Sequence, residues 1–193
     1  MNIVNVGYDS TNYYVIEQGR HRLLVDVGCP GTLSKFRASL KRKGLAIEDL
    51  TYMFATHYHP DHAGLVQDLK QLGVKHLVFE QQLAAVPLLK TQVKPDSGYL
   101  DIRLDGSLRL KTSESRVWLA NIGLAGEMVS TRGHSDDSIT LVLDEGLAFT
   151  GDLTAPGMFE DEQGDLIAQS WAKLRALNVR TIYPGHGPVR PLR

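Results

Sequence analysis

Thr56 to Gly64 reads THYHPDHAG and packs His57, His59, Asp61 and His62 into six residues, directly after the apolar run LTYMFA. On a strand running out into a loop, residues two apart project to the same side. His57 and His59 can therefore present both imidazoles to one ion. Asp61 and His62 fall at the turn into the next helix, where the chain changes direction and their side chains can address a second point close by. Pro60 stiffens that turn and suits a helix start. A metal site needs partners from elsewhere, and three candidates adjoin strands and glycines: His134 in TRGHSDDS, Asp152 in FTGDL and His186 in YPGHGP. Strand-end loops with glycine bring backbone close to an ion without steric penalty. The set holds five His and two Asp with no thiolate. Imidazole with carboxylate suits zinc first, and iron or manganese less.

The elements that must position these residues follow from periodicity. NIVNVG, TNYYVIEQ and RLLVDVG read as strands, short, rich in β-branched and aromatic residues, and bounded by Gly, Asp and Ser. TLSKFRASLKRKG changes period, with Leu33, Phe36 and Leu40 on one helical stripe and Gly44 as a stop. DLTYMFAT is too apolar to alternate and reads as a strand buried on both faces. A helix over Asp61 to Gln71, a strand at HLVFE and a short helix at QQLAAVPLLK come next. YLDIRL, SLRLKT, RVWLANI, EMVSTR, SITLVL and GLAFT read as strands, before a helix over Leu166 to Leu177 and a strand at RTIYPG. That order suggests two packed sheets with helices outside.

The 193 residues suffice for one domain, taken as 1–193. The net charge of -1 gives no global field favouring nucleic acid or an anionic membrane. The basic run Lys41-Arg42-Lys43 closes a helix, where cations suit the dipole. Cys29 is the sole cysteine, so no internal disulfide forms, which fits a reducing compartment. The N-terminus reads as a strand rather than a signal peptide, and no apolar run approaches the roughly 20 residues of a membrane span. The expectation is a soluble cytoplasmic protein with no membrane partner; its oligomeric state is left open.

THYHPDHAG, GHSDDS, TGDL and YPGHGP, with LLVDVG upstream, resemble in order and spacing the motifs of the metallo-β-lactamase-fold hydrolases, over about Asn12 to His186. The resemblance implies an α/β fold, a four-layer αββα sandwich with two zinc ions at one edge. It implies that His57, His59 and His134 hold one metal, that Asp61, His62 and His186 hold the second, and that Asp152 bridges both. Asp26 would orient a ligating histidine through its other ring nitrogen, or else form a plain turn. Tyr8 and Asp9, in the first hairpin turn, either overhang the pocket or form an ordinary turn.

Metals about 3.5–4 Å apart can share a water and lower its pKa. The implied reaction is attack of the resulting hydroxide on a small carbonyl substrate, an ester, lactone or thioester, with Asp61 moving a proton to the leaving atom. Glyoxalase II resembles the chain in all metal motifs but carries a helical region after the last histidine, where seven residues follow here. Three alternatives share the motifs: a phosphodiesterase or nuclease, a mononuclear-iron persulfide dioxygenase using His57, His134 and Asp152, and a non-enzymatic metal scaffold. Near-neutral charge speaks against nucleic acid as partner, and a complete ligand set against a dead scaffold. Asp136 and Asp137 depart from the usual GHTxGS-like segment and, facing inward, would disfavour an anionic substrate. His21 and His76 match no motif and read as surface or strand-end residues. Trp118 and Trp171 read as core.

Overall fold

The computed structural model describes residues 1–155 and 162–192. Its first sheet is built from β1 (Asn2–Asn5), β2 (Tyr14–Gln18), β3 (His21–Val25), β4 (Tyr52–Phe54), β5 (Lys75–Phe79) and β6 (Leu108–Leu110), hydrogen-bonded in chain order. β1 to β3 form an antiparallel meander, and β3 to β6 run parallel. Parallel neighbours need crossovers. α1 (Leu33–Arg42) supplies one, and α2 (Pro60–Ala63) with α3 (Val66–Gln71) supplies the next. The second sheet contains β7 (Gly126–Ser130), β8 (Ile139–Leu143), β9 (Leu147–Gly151), β10 (Thr181–Pro184) and β11 (Arg190–Pro191), in the order β11-β10-β9-β8-β7. α4 (Ser115–Asn121) precedes it, and α5 (Glu162–Ala176) makes the crossover between the parallel pair β9 and β10.

Alternation sorts the strand side chains into layers. Val15, Leu24, Met53 and Val78 join Phe36, Leu40, Val66 and Leu69 of the helices on the outer face of the first sheet. Their sequence neighbours Ile16, Leu23, Phe54 and Leu77 turn the other way. They meet Met128, Ile139, Leu141 and Phe149 between the sheets. Val142, Ala148 and Ile182 face outward again, under Ile167, Trp171 and Leu174 of α5. The layers are αββα. Phe149 stacks on Tyr183 with ring centroids 4.8 Å apart and meets the edge of Tyr14 at 5.4 Å. Burying a ring of that size stabilises by about 1.5–3 kcal/mol.

RVWLANI is helix α4, not a strand. Ser115, Leu119 and Ile122 are buried at helical spacing while Val117 is 70% exposed, so the β-branched and aromatic composition misleads there. YLDIRL pairs with no strand. Tyr99, Ile102 and Leu104 pack against the outer core, and the Arg103 amide donates to Gln67 Oε1 at 2.9 Å instead of to a ladder. The helix expected over Asp61 to Gln71 is broken at Gly64 and Leu65, and QQLAAVPLLK forms 3₁₀ turns. No helix among the described residues is long and apolar enough to cross a membrane.

The parallel pairs β3–β4 and β9–β10 bring their C-terminal ends to one edge of the sandwich, and β7 runs the same way as β9. Hydrogen bonds tie the sheets together there: Ile139 N to Thr56 O at 2.9 Å, and Asn12 N to Gly185 O at 2.7 Å. Every metal-capable residue named above lies in a segment leaving one of these strand ends.

Candidate metal centre

His57, His59 and His134 meet at the end of β4 and the loop after β7. His59 Nδ1 lies 3.0 Å from His57 Nε2 and 3.0 Å from His134 Nε2. One ring nitrogen carries at most one proton, so His59 Nδ1 cannot donate to both neighbours. Three imidazole nitrogens aimed at one point suit a cation better than a hydrogen bond.

The second group lies on the other side of Asp152. His62 Nε2 is 3.3 Å from Asp61 Oδ2 and 3.3 Å from Asp152 Oδ1. His186 Nε2 is 3.1 Å from Asp61 Oδ2 and 3.3 Å from Asp152 Oδ2. The same Asp152 Oδ2 stands 3.7 Å from His134 Nε2. The residues form three groups that could hold a metal ion: His57-His59-His134, His57-His62-Asp152 and Asp61-His62-His186.

The outer nitrogens of these rings are held from behind. Asp26 leaves β3 with φ of +62°, a left-handed conformation uncommon outside glycine but tolerated by Asp. Its buried carboxylate accepts from Thr56 N at 2.7 Å, Thr56 Oγ1 at 3.0 Å and His62 Nδ1 at 2.9 Å. Since the Thr56 hydroxyl donates to Asp26, it accepts from His57 Nδ1, 3.1 Å away. His186 Nδ1 donates to the Ser10 carbonyl at 2.7 Å, and Thr11 Oγ1 donates to Asp61 Oδ2 at 3.0 Å. With Nδ1 donating on His57, His62 and His186, the Nε2 of each faces inward.

Burial pulls the His62 imidazole down, but Asp26, with Asp152 and Asp61, outweighs it and holds the ring well above its ordinary range. Burial, reinforced by His62, pushes His57 well below the usual histidine value. Burial raises Asp61 and Asp152, yet His62 and its neighbours outweigh it and hold both carboxyls low. Burial pushes Asp26 up against the pull of His62 and Thr56; with three donors aimed at it, the ionised form is the one this geometry fits. His62 Nε2 and Asp152 Oδ1 are buried without a hydrogen-bond partner. Such orphans are costly unless something satisfies them. A Cβ on Gly185 would strike Asp152 Oδ1 and come within 2.6 Å of His62 Cε1, so the space beside both atoms exists because residue 185 is glycine. A Cβ on Gly151 would strike the Thr56 hydroxyl. The residues fit a metal: nitrogen and carboxylate donors, tautomers set from behind, and unpaired atoms turned inward.

Cys29 belongs to none of the three groups. Asp137 is buried and accepts the Tyr58 amide at 2.7 Å, while Asp136 pairs with Arg132 at the surface. Tyr8 bonds Thr32 Oγ1 at 2.5 Å, Asp9 pairs with Lys35 at 2.9 Å, and both line a cavity of about 520 Å³ that contains none of the metal-capable side chains but is also lined by Ser10 and Thr11. The first hairpin turn reaches the site through Ser10 and Thr11 instead. Sequence reasoning passed over those two and Thr56, because ordinary turn hydroxyls carry no motif. It also set His76 at the surface or a strand end. His76 lies in β5, is 1% exposed, and bonds Tyr58 OH at 2.9 Å and Ser107 Oγ at 3.0 Å. Trp171 is core, and Trp118 is partly buried against Tyr52.

Residues 6–186 match the family described as the metallo-beta-lactamase superfamily. The chain belongs to that superfamily. Lactamase-like protein aptB of Emericella nidulans is 30% identical over 187 residues, which cover 93% of this chain and 52% of that protein. The atrochrysone carboxyl ACP thioesterase AacuM of Aspergillus aculeatus is 31% identical over 185 residues, covering 94% and 52%. The chain spans about half the length of the curated relatives it matches. Among solved structures, a metallo-beta-lactamase of Cronobacter sakazakii superposes with TM-score 0.75 at 17% identity, over 96% of this chain and 78% of that one. A metallo-beta-lactamase family protein of Thermus thermophilus gives 0.73 at 20%, over 98% and 73%. At these identities the likeness shows the fold.

Proposed function

We propose that the chain is a dinuclear metallo-hydrolase, with zinc as its metal, acting on a small carbonyl substrate: an ester, lactone or thioester. The observation that carries the reading is the position of Asp152, whose Oδ1 faces His62 while Oδ2 faces both His186 and His134. A carboxylate so placed could serve two ions. His57, His59 and His134 would hold one, Asp61, His62 and His186 the other, and Asp152 both. When bound, the ions would supply Lewis acidity, lowering the pKa of water and polarising a carbonyl oxygen.

The chain's own residues do the remainder. Asp61, held ionised, takes up the proton released by the attacking water and hands it to the leaving atom. Thr11 fixes the carboxylate for that transfer. Asp26, Thr56 and Ser10 keep the imidazole tautomers and ring orientations, so that no reorganisation is needed during reaction. Among the described residues, Arg190 is the only lysine or arginine lining the two cavities that border the groups. Polyanion recognition relies on several such contacts, so a small carbonyl compound fits better than nucleic acid.

Zinc reconstitution followed by elemental analysis and a panel of ester, lactone, thioester, β-lactam and phosphodiester substrates tests this. The expected result is about two metal ions per chain and turnover of carbonyl substrates with weak salt dependence. Absence of metal after reconstitution sinks the dinuclear reading. One iron per chain with oxygen uptake on a persulfide points to the dioxygenase, and steeply salt-dependent cleavage of nucleic acid to the nuclease.

A further inference from the structure

Among the described residues, members of the metal-capable groups line two cavities that differ in character. One, of about 310 Å³, is lined by His134, Asp152, His186 and Arg190. The other, of about 300 Å³, opens beside His59 over Tyr58, Ala84, Ala85, Leu88 and Ser135. We propose that this second cavity is an acyl-chain groove, and that the substrate of the proposed hydrolase is an ester or thioester of a medium-length hydrocarbon acid. The inference rests on the hydrolase reading and adds the substrate's apolar half and its direction.

Leu88 is 55% exposed and sits on a 3₁₀ turn whose two preceding alanines are small enough to leave a trough. An apolar wall of this kind gains by burial against hydrocarbon. The lining offers no lysine or arginine, so an anionic tail would find no partner there. Its two carboxylates are already engaged, Asp137 by the Tyr58 amide and Asp136 by Arg132. Gln81, at the edge, donates to the Ser138 carbonyl at 3.1 Å. Gln92, exposed, adds one amide to the lining, and Ala84, Ala85 and Leu88 supply the apolar surface. Direction follows from the proton transfer. His59, which lines this groove, belongs to the His57-His59-His134 group, whereas Asp61 and His186 belong to the other group and do not line it. Since Asp61 protonates the leaving atom in the proposed reaction, the leaving alcohol or thiol lies on the side of that second group. The acyl carbon's other substituent then points towards His59 and Leu88. Hydrolysis breaks the bond from acyl carbon to leaving oxygen or sulfur, water supplies the new carbon–oxygen bond, and the acid and the alcohol or thiol depart.

The zinc-loaded protein is assayed with 4-nitrophenyl acetate, butyrate and octanoate, and its binding of acetate and octanoate is measured by calorimetry. Each added methylene that enters the groove is expected to raise kcat/KM about two- to fourfold, with octanoate binding at least about tenfold tighter than acetate. Leu88→Asp should lower the octanoyl-to-acetyl ratio by about tenfold or more, and Leu88→Met should restore most of it. Equal rates for all chain lengths, with no Leu88 effect on octanoate binding, overturn the groove while leaving the hydrolase reading intact. No turnover of any ester, with Leu88-dependent octanoate binding preserved, removes the hydrolase chemistry and keeps the groove. A dimer in sedimentation that Leu88→Asp dissociates, without chain-length preference, assigns Leu88 to a contact between copies and overturns the proposal.

Discussion

His62 and His76 are equally hidden, at 0% and 1% exposure, and their surroundings are opposite. Both nitrogens of His76 meet neutral hydroxyls, Tyr58 OH and Ser107 Oγ, and no carboxylate among the described residues bonds it. Burial, with the charge of Lys70, pushes that imidazole down to about 3. His62 has a carboxylate behind it, two more in front, and an inward nitrogen with no hydrogen-bond partner. Burial therefore does not tell a metal-capable histidine from a structural one. An unpaired ring nitrogen among carboxylates does, because it marks a demand that the protein alone leaves unmet.

That contrast can be broken at four places. Asp152→Ala removes the carboxylate that faces His62, His134 and His186 and, on the proposed bridge, should lower the affinity for both ions and nearly abolish hydrolysis; a variant with two zinc ions and normal turnover would dismiss the bridge. Asp26→Asn leaves the ligands in place but removes the charge behind His62, and should weaken metal binding or activity about 10–100-fold. Zinc titration against a chelating dye reads this directly, and an unchanged affinity would mean that Asp26 only shapes its turn. Thr56→Val cuts the relay from His57 to Asp26, with an expected loss of about tenfold in metal affinity. If the loss matches that of Asp26→Asn, the hydroxyl rather than the carboxylate sets the geometry.

His76→Gln should leave zinc affinity within about twofold and act on stability instead. The folded protein holds His76 down to about 3, against about 6.5 in an unfolded chain. As pH falls below about 6.5 the unfolded state binds the proton first, so stability drops progressively towards about pH 3, by at most about 1.4 kcal/mol per pH unit. Gln does not titrate. Urea unfolding of the two proteins at pH 7 and pH 5 should show a smaller acid loss in the variant, and identical losses would contradict the neutral assignment.

The seven metal-capable side chains were legible because His and Asp at those spacings are chemically rare, and the strand before each was apolar enough to read. Thr56, Thr11 and Ser10 were not. They act through single hydroxyl or carbonyl oxygens that nearly every loop possesses, and only their three-dimensional contact with His57, Asp61 and His186 distinguishes them. Two packed sheets with helices outside were readable from the order of strands and helices, and the four layers from the resemblance; alternation did not help in β4, which is buried on both faces. RVWLANI failed because its type signal and its burial spacing disagree, and the spacing, with Ser115 and Leu119 inward, decided the element. β11 is two residues long and offered no pattern to read.

The edge where the strand ends converge also has a mechanical meaning. Asp26, His57, His59, Asp61 and His62 hang from the first sheet, whereas His134, Asp152 and His186 hang from the second. Any ion gripped by members of both sets is a clasp across the seam, and pulling the sheets apart would mean breaking its bonds. Binding at 100 times Kd adds about 2.7 kcal/mol to the stability of the closed form. Removing the ion with a chelator would then do more than silence the centre: it would unfasten one end of the sandwich, and protease sensitivity should rise first at the loops that carry His134 and His186.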